Sequence, residues 1–252
     1  MKKQKLLFIP LILSFGIGLL SCNFGSNNGN SQTYQAVAAV VVETTGGTVL
    51  GTPLGYLAAP SLLDVSAGDC LYLYQLVIDY DNQSSDKYVT ASEIVKETVN
   101  QGRFVTGDPN ELDDYYTLPL SNINGFVTNE YLEGRIFVVM TCKDRNPSFR
   151  LLYNNPTEDI DSNGVTNFYL QAAPSSSSAD TDIQGIQAFN LMDYIQQYGR
   201  DTLKTFNDSS DKYPFKYVKA NFKYVSKIED GVPTYTTLNS SGPIEFYIFN
   251  NN

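Results

Sequence analysis

The stretch YVKANFKYVSKI, residues 217–228, decides the fold class of this chain. Its side chains alternate between an apolar set and a polar set: Val218, Ala220, Phe222 and Tyr224 against Lys219, Asn221 and Lys223. A period of two is typical of a β-strand with one buried face and one solvated face. Asp230-Gly231, which follows, is a strong signal for a two-residue hairpin turn. The stretch therefore predicts a strand with one buried face and one solvated face, followed by a hairpin turn.

Working outward, similar strand patterns recur along the chain, for example at 36–44, 70–80, 135–142, 148–154, 165–173 and 244–248. Turns separate them about every 8–15 residues, which favours a sandwich or a small barrel. One short helix is predicted, starting at Phe189, with Asn190 as its cap and Gly199 at its end. Residues 91–99 fit either a helix face or a strand. We therefore expect a mainly all-β protein with one short helix.

The N-terminus has the pattern of a lipoprotein signal peptide, residues 1–21. Three early lysines precede an apolar run at 6–20, which is shorter than the roughly 20 residues of a membrane-spanning helix. Leu-Leu-Ser-Cys then matches a bacterial lipobox ending at Cys22. We predict that Cys22 is lipidated by a diacyl group, because one acyl chain alone gives only marginal membrane binding. The alternative is an ordinary secreted protein in which Cys22 lies near the cleavage site.

Composition narrows the function classes. The chain of 252 residues carries 27 acidic and 17 basic residues, a net charge of −10, so nucleic acid is not expected as a partner. Histidine is absent, which excludes Ser-His-Asp triads, Cys-His dyads and His-ligated zinc. We predict no catalytic residues, no metal site and no cofactor, and hence a protein that is not an enzyme.

The order of elements resembles the NigD-like lipoproteins of Gram-negative anaerobes. The matching stretches are LLSCNFG (19–25), SAGDCLYLYQLVIDY (66–80), EYLEGRIFVVMTCKD (130–144), RNPSFRLLYNN (145–155), GVTNFYLQA (164–172), LMDYIQQYG (191–199), YVKANFKYV (217–225) and GPIEFYIFN (242–250). The resemblance implies a small OB-like β-barrel followed by a β-sandwich, and it carries a proposed bacteriocin-immunity role. Many members have an acidic run after the lipid cysteine. Because NFGSNNGNS, residues 23–31, has none, the periplasmic face and the cell surface both remain open.

These patterns together give a domain plan. Residues 22–33 are rich in Asn, Gly and Ser and are expected to form a flexible tether. Residues 34–110 are assigned to the OB-like barrel and residues 111–252 to the β-sandwich. The boundary is placed in the polar, turn-rich segment 102–114.

Two sets of residues are candidates for a ligand site or a cross-link. Asp159, Asp161 and Asn163 match the first half of a calcium loop, but Leu170 stands where a bidentate Glu is needed, so a polar turn is the simpler interpretation. Cys70 and Cys142 could form a disulfide in an oxidising envelope, or could remain buried as free thiols that act as small hydrophobes.

Other polar and aromatic groups have simple structural explanations. The acidic pairs at 79/81, 113/114 and 158/159 fit solvated turns better than a glycosidase pair. The lysines at 212, 216, 219, 223 and 227 fit a solvated sheet face or a partner-binding patch. The many tyrosines fit half-buried sheet positions or a contact surface.

The sequence therefore predicts a lipid-anchored cell-envelope protein, held at the outer membrane through Cys22. Its expected role is non-catalytic binding or protection, immunity-like and directed at a protein or peptide partner. The alternatives are a glycan- or nutrient-binding accessory lipoprotein and a structural component of an envelope complex.

Overall fold

The computed structural model describes residues 31–59, 64–83, 88–112, 115–154, 164–205, 212–238 and 242–250. Within these residues the chain forms two β-sheets, one α-helix and one 3-10 turn, which confirms the all-β prediction. The smaller sheet contains β1 (Ser31–Tyr34), β2 (Val37–Thr44), β3 (Gly47–Thr52), β4 (Gly55–Ala58), β5 (Cys70–Asp79) and β6 (Val89–Val99).

The larger sheet takes up the rest of the described chain. Its strands are β7 (Gln101–Thr106), β8 (Leu120–Thr128), β9 (Arg135–Asp144), β10 (Ser148–Tyr153), β11 (Val165–Ala173), β12 (Ser178–Asn190), β13 (Arg200–Thr205), β14 (Lys212–Glu229), β15 (Val232–Thr237) and β16 (Ile244–Phe249). The 3-10 turn covers Glu130–Leu132, and the helix α1 covers Met192–Tyr198.

The smaller sheet closes into a barrel with OB topology. Its order is β5-β2-β3-β4-β6, and β6 returns to pair with β5. β4 and β6 run parallel, whereas the other neighbours run antiparallel. A closed five-stranded Greek-key barrel of this kind leaves few free strand edges. The OB-like part of the fold prediction is therefore confirmed.

β1 extends the first barrel strand toward the N-terminus. It pairs with β5 in the same register as β2, from Ser31 opposite Asp79 to Val40 opposite Cys70. Only the residues at 35 and 36 interrupt the two strands, and Ala36 has a positive φ of 60°. Residues 31–33, expected in the tether, therefore lie in the barrel.

The chain passes from the barrel into the larger sheet at Asn100. β6 ends one residue before it and β7 begins one residue after it. The Asn100 carbonyl accepts hydrogen bonds from the backbone N of Ala188, 3.0 Å away, and from Nε2 of Gln187, 2.5 Å away. Residues 101–106, assigned by the sequence to the first domain, thus contribute β7 to the second sheet.

The larger sheet is one curled sheet whose halves face each other across a common core. Its order is β13-β14-β11-β10-β7-β12-β9-β8, with β15 and β16 also paired to β14. β7 joins the halves, because it pairs with β10 on one side and with β12 on the other. The predicted β-sandwich therefore takes the form of two layers that share a strand. The alternation predicted for 217–228 is present in β14, with Val218, Ala220, Phe222 and Tyr224 buried.

The helix begins later than predicted. Phe189 and Asn190 are the last residues of β12, where Phe189 pairs with Ile136 and with Gly102. α1 starts at Met192, whose backbone N donates to Oδ1 of Asn190 at 3.0 Å. Gly199 ends the helix as expected, since its N–H bonds to the carbonyl of Ile195.

A separate apolar core joins the barrel to the larger sheet. The barrel contributes Ala38, Val40, Cys70, Tyr72 and Val99, and the second domain contributes Leu132, Phe137 and Ala188. Relative domain motion is the default unless the interface is well packed and hydrophobic. We therefore treat the two domains as one packed body.

Candidate functional site

Several predicted site residues lie outside the described part of the chain. These are Cys22, with the signal peptide and most of the tether, and Asp159, Asp161 and Asn163 of the calcium-like loop. Lipidation at Cys22 stays a prediction. Within the described residues, no helix combines the length and apolar character needed to cross a membrane. In that same part of the chain, no three Cys, Asp or Glu side chains cluster as metal ligands.

The two remaining cysteines are buried free thiols in different cores. Cys70 lies in the core that joins the domains, and Cys142 lies in the core of the larger sheet. Burial raises the pKa of the Cys70 thiol to about 12 and also raises the pKa of the Cys142 thiol. Since the thiolate is the reactive form, both side chains act as small hydrophobes.

Four of the five lysines of β14 have a local partner of their own. Lys219 forms an ion pair with Glu245 at 2.7 Å, and Lys227 forms one with Glu229 at 2.5 Å. Lys216 donates to the carbonyl of Gln196 at 2.9 Å, and Lys223 lies 5.2 Å from the ring centroid of Tyr169. They therefore fit a solvated sheet face with local partners better than one continuous basic patch.

An aromatic group covers one face of the barrel at the domain junction. The Tyr56 ring of β4 meets Tyr131 edge-on at 5.2 Å and lies 6.4 Å from Phe249 of β16. The Tyr56 hydroxyl donates to the Glu133 carboxylate. Burial, together with this carboxylate, holds the pKa of Tyr56 well above its usual value. These aromatic side chains thus hold the two domains together.

An open polar cleft lies on the second domain, and we call it the Arg150 cleft. Its volume is about 570 Å³, and it is lined by residues 105–108 and 110–112, together with Arg150, Leu152 and Gly231. Ligand sites in proteins commonly measure about 300–1,000 Å³. Arg150 supplies a positive charge to the cleft, and Asp108 and Glu111 supply negative charges.

A hydrogen-bonded chain fixes the arginine of this cleft. Nε of Arg150 donates to Oε1 of Gln171 at 2.7 Å. Nε2 of Gln171 donates to the Tyr235 hydroxyl at 2.6 Å, and that hydroxyl donates to the Pro109 carbonyl at 2.8 Å. The Arg150 guanidinium also lies 3.8 Å from the centroid of the Tyr116 ring. A guanidinium held in this way keeps its positive charge at one fixed place in the cleft.

The sequence reasoning missed this cleft because its key residue, Gln171, is a buried polar side chain that no motif marks. Gln171 of β11 is fully buried. It lies between Arg150 of β10 and Tyr235 of β15, which are brought together by the pairings of β10 with β11, of β11 with β14 and of β14 with β15. A glutamine beside an apolar strand run was the only available signal.

The acidic pair Asp79 and Asp81 takes part in hydrogen bonds within one turn. Asp79 accepts from the side chain of Asn82 at 2.7 Å and from the backbone N of Asp81 at 3.1 Å, and these bonds lower its pKa. The pairs at 113/114 and 158/159 include residues outside the described part of the chain.

Comparison with known proteins places this arrangement among solved structures. A protein from Parabacteroides merdae superposes with a TM-score of 0.59 at 14% identity, over 84% of this chain and 97% of that one. A protein of unknown function (DUF1344) from Bacteroides vulgatus superposes with a TM-score of 0.54 at 12% identity, over 82% and 90%. This chain shares their fold. At these identities the likeness is one of fold.

A NigD-like immunity protein from Bacteroides caccae is also similar, with a TM-score of 0.46 at 13% identity, over 84% of this chain and 94% of that one. No protein-family model and no curated protein matches the sequence.

Proposed function

We propose that this protein is a lipid-anchored envelope protein whose body binds a protein or peptide partner without chemical turnover, in an immunity-like protective role. The observation that carries the binding role is the Arg150 cleft. Its guanidinium is held by Gln171 and by the Tyr116 ring, so it keeps a positive charge at a fixed place in the cleft, which attracts a carboxylate of a partner segment.

The anchor in this proposal is Cys22. Eight residues, 23–30, separate it from β1 in the sequence, and Gly/Ser-rich linkers of eight residues have an end-to-end distance of about 15–17 Å. The body would therefore stay close to the lipid surface, at the outer membrane, where a membrane-directed toxin or peptide would be met. Acyl labelling of the protein in cells tests this part, and the label should vanish in Cys22→Ala.

The binding role is tested by affinity capture from the native envelope with matched variants. Arg150→Gln removes the cleft arginine, whereas Arg103→Gln removes an exposed arginine of the neighbouring strand that does not line the cleft. We expect partner recovery to fall in the first variant and to stay at the wild-type level in the second. Equal partner recovery by wild type and both variants would count against the cleft as the binding site. An equal loss of recovery in both variants would count against it as well.

A control is needed because Arg150 also supports the fold. Glu111→Lys reverses a charge at the exposed cleft wall without touching the Gln171 chain. It should change partner recovery while leaving the unfolding midpoint unchanged. The expectation that the protein is not an enzyme is tested in parallel, since turnover of a substrate that is lost on one carboxylate substitution would contradict a purely binding role.

One observation favours the second candidate, a glycan-binding accessory role. Tyr115 is 56% exposed, and its ring lies 5.2 Å from that of Tyr116, which stacks on Arg150. An exposed aromatic ring beside a polar cleft is a suitable sugar platform. A glycan array probed with wild type and Tyr115→Ala separates this role from peptide capture. The third role, a structural part of an envelope complex, is tested by cross-linking in cells.

A further inference from the structure

A second, smaller cavity lies where α1, β11, β13 and β14 meet. It measures about 30 Å³ and is lined by Thr166, Tyr198, Arg200, Tyr217 and Lys219, among others. Strand pairing fixes these residues, because Arg200 lies opposite Tyr217 and Thr166 lies opposite Ala220, next to Lys219. This space is separate from the Arg150 cleft and shares no lining residue with it.

One polar group in this cavity has no partner. Thr166 is 2% exposed, and its hydroxyl makes no hydrogen bond within the described residues. Leaving a buried hydroxyl unsatisfied costs about 1–3 kcal/mol. A buried hydroxyl without a protein partner, in a residue that lines a cavity, is explained by a water or a ligand in that cavity that bonds to it.

The charge around this hydroxyl is positive. Lys219 is paired with Glu245 at 2.7 Å, but Arg200 forms no ion pair within the described residues. The Arg200 guanidinium lies directly against Gly164, where a Cβ atom would be 2.0 Å from one of its terminal nitrogens. Gly164, with a φ of 74°, therefore makes the space in which this guanidinium lies.

The volume of the cavity limits the class of ligand that it can hold. One water needs about 10–15 Å³ of such volume, so the space admits about two oxygen atoms. A carboxylate presents two oxygens in one plane, which matches the forked donors of an arginine. We propose that this cavity is a carboxylate-binding site, in which Arg200 donates to the carboxylate and the Thr166 hydroxyl donates a further hydrogen bond.

This inference goes beyond the proposed envelope role and does not depend on it. The competing occupant is water, since two ordered waters would satisfy Thr166 equally well. The carboxylate could come from a small free molecule or from a chain terminus. The two sources share one chemistry, and the measurement can separate them.

The test is NMR line broadening of carbon-13 acetate by the full chain, at constant ionic strength set with chloride. Four proteins are compared: wild type, Arg200→Gln, Thr166→Val and Lys223→Gln. The last is the matched control, because it removes a positive charge from β14 without touching the cavity. Wild type and Lys223→Gln should bind acetate, and the two cavity variants should bind at least about tenfold more weakly.

Thr166→Val guards against a folding artefact, because it replaces an unpartnered hydroxyl with a methyl group and should keep or raise the wild-type unfolding midpoint. Acetylglycine and its amide then separate the sources. Binding of acetate alone indicates a small free carboxylate, whereas binding of acetylglycine but not of its amide indicates a chain terminus. Absence of acetate binding to wild type, equal binding by all four proteins, or equal affinity for inorganic phosphate would overturn the proposal.

Discussion

The backbone carbonyl oxygen of Tyr131 lies against Gly51, so close that a Cβ atom at position 51 would be 2.0 Å from it. Gly51 belongs to β3 of the barrel, and Tyr131 belongs to the 3-10 turn of the second domain. OB folds commonly bind ligands on the second and third barrel strands, which correspond here to β3 and β4. In this protein, the second domain covers part of that face.

Gly51→Ala should loosen the domain junction. The added methyl group must displace a backbone carbonyl rather than a flexible side chain, so we expect a loss of about 1–3 kcal/mol in the free energy of unfolding. Urea unfolding measures it. Gly185→Ala is the control, because a Cβ atom there has no neighbour within 4 Å. Equal stability of both variants would contradict the close contact.

Tyr235→Phe should destabilise the Arg150 cleft without changing its shape. The hydroxyl accepts from Gln171 and donates to the Pro109 carbonyl, and Gln171 is fully buried. Removing the Tyr235 hydroxyl leaves the Gln171 amide and the Pro109 carbonyl with one hydrogen bond fewer each. We expect this to cost about 1–3 kcal/mol in the free energy of unfolding. Tyr115→Phe, at an exposed position, should leave the urea midpoint unchanged. A silent Tyr235→Phe would mean that the chain of bonds does not support the fold.

The Asp144 carboxylate should make the free energy of unfolding decrease at acid pH. The residue is 2% exposed and accepts from the backbone N of Ser175 at 2.8 Å, from its hydroxyl at 2.6 Å and from the backbone N of Asn146 at 2.9 Å. Burial alone would raise the pKa of this carboxyl, but these bonds outweigh burial and lower it. Because the folded pKa lies below the unfolded value, its stabilisation is complete above about pH 4 and is lost as pH falls through the folded pKa.

Asp144→Asn should therefore cost about 1–3 kcal/mol at pH 7 and should flatten the stability profile below pH 4. Urea unfolding at a series of pH values measures both effects. Asp182→Asn is the comparison, since that exposed carboxylate accepts from Ser121 and should change little. If the stability of Asp144→Asn changes with pH in parallel with that of wild type, groups other than Asp144 cause the acid sensitivity.

Cys70 and Cys142 should be protected from alkylation in the native protein. Both are buried, and burial raises the pKa of each thiol, so thiolate is scarce at pH 8. Iodoacetamide followed by mass spectrometry should label neither residue until urea unfolds the chain. Rapid native labelling of Cys70 would show that the core between the domains opens on the timescale of the reaction.

The part of the fold that depends on local pattern could be predicted from the sequence. The two-residue period of β14 and the helix end at Gly199 are present in the structure. Residues 91–99 were ambiguous, and pairing with β5 along most of their length resolves them as strand. Phe189 was placed in the helix, but its pairing with two strands outweighs local helix preference.

The sites depend on pairings between distant parts of the chain, so local pattern could not reveal them. The Arg150 cleft needs β10, β11, β14 and β15 in one register, and the smaller cavity needs Gly164 beside Arg200. Parallel neighbours such as β11 and β14 are separated by long connections and leave no short sequence signature.

The unbroken register of β1 and β2 on β5 has a mechanical consequence. If the protein is tethered at Cys22 as proposed, a force from the membrane acts on the barrel at Ser31, where β1 begins. The first strand it meets is bonded to β5 from Ser31 to Val40 with only two residues of interruption. A pull along that strand loads its antiparallel bonds together, in shear, because they lie across the strand direction. The strand nearest the membrane would thus also be the strand that resists unfolding of the barrel when the tether is pulled.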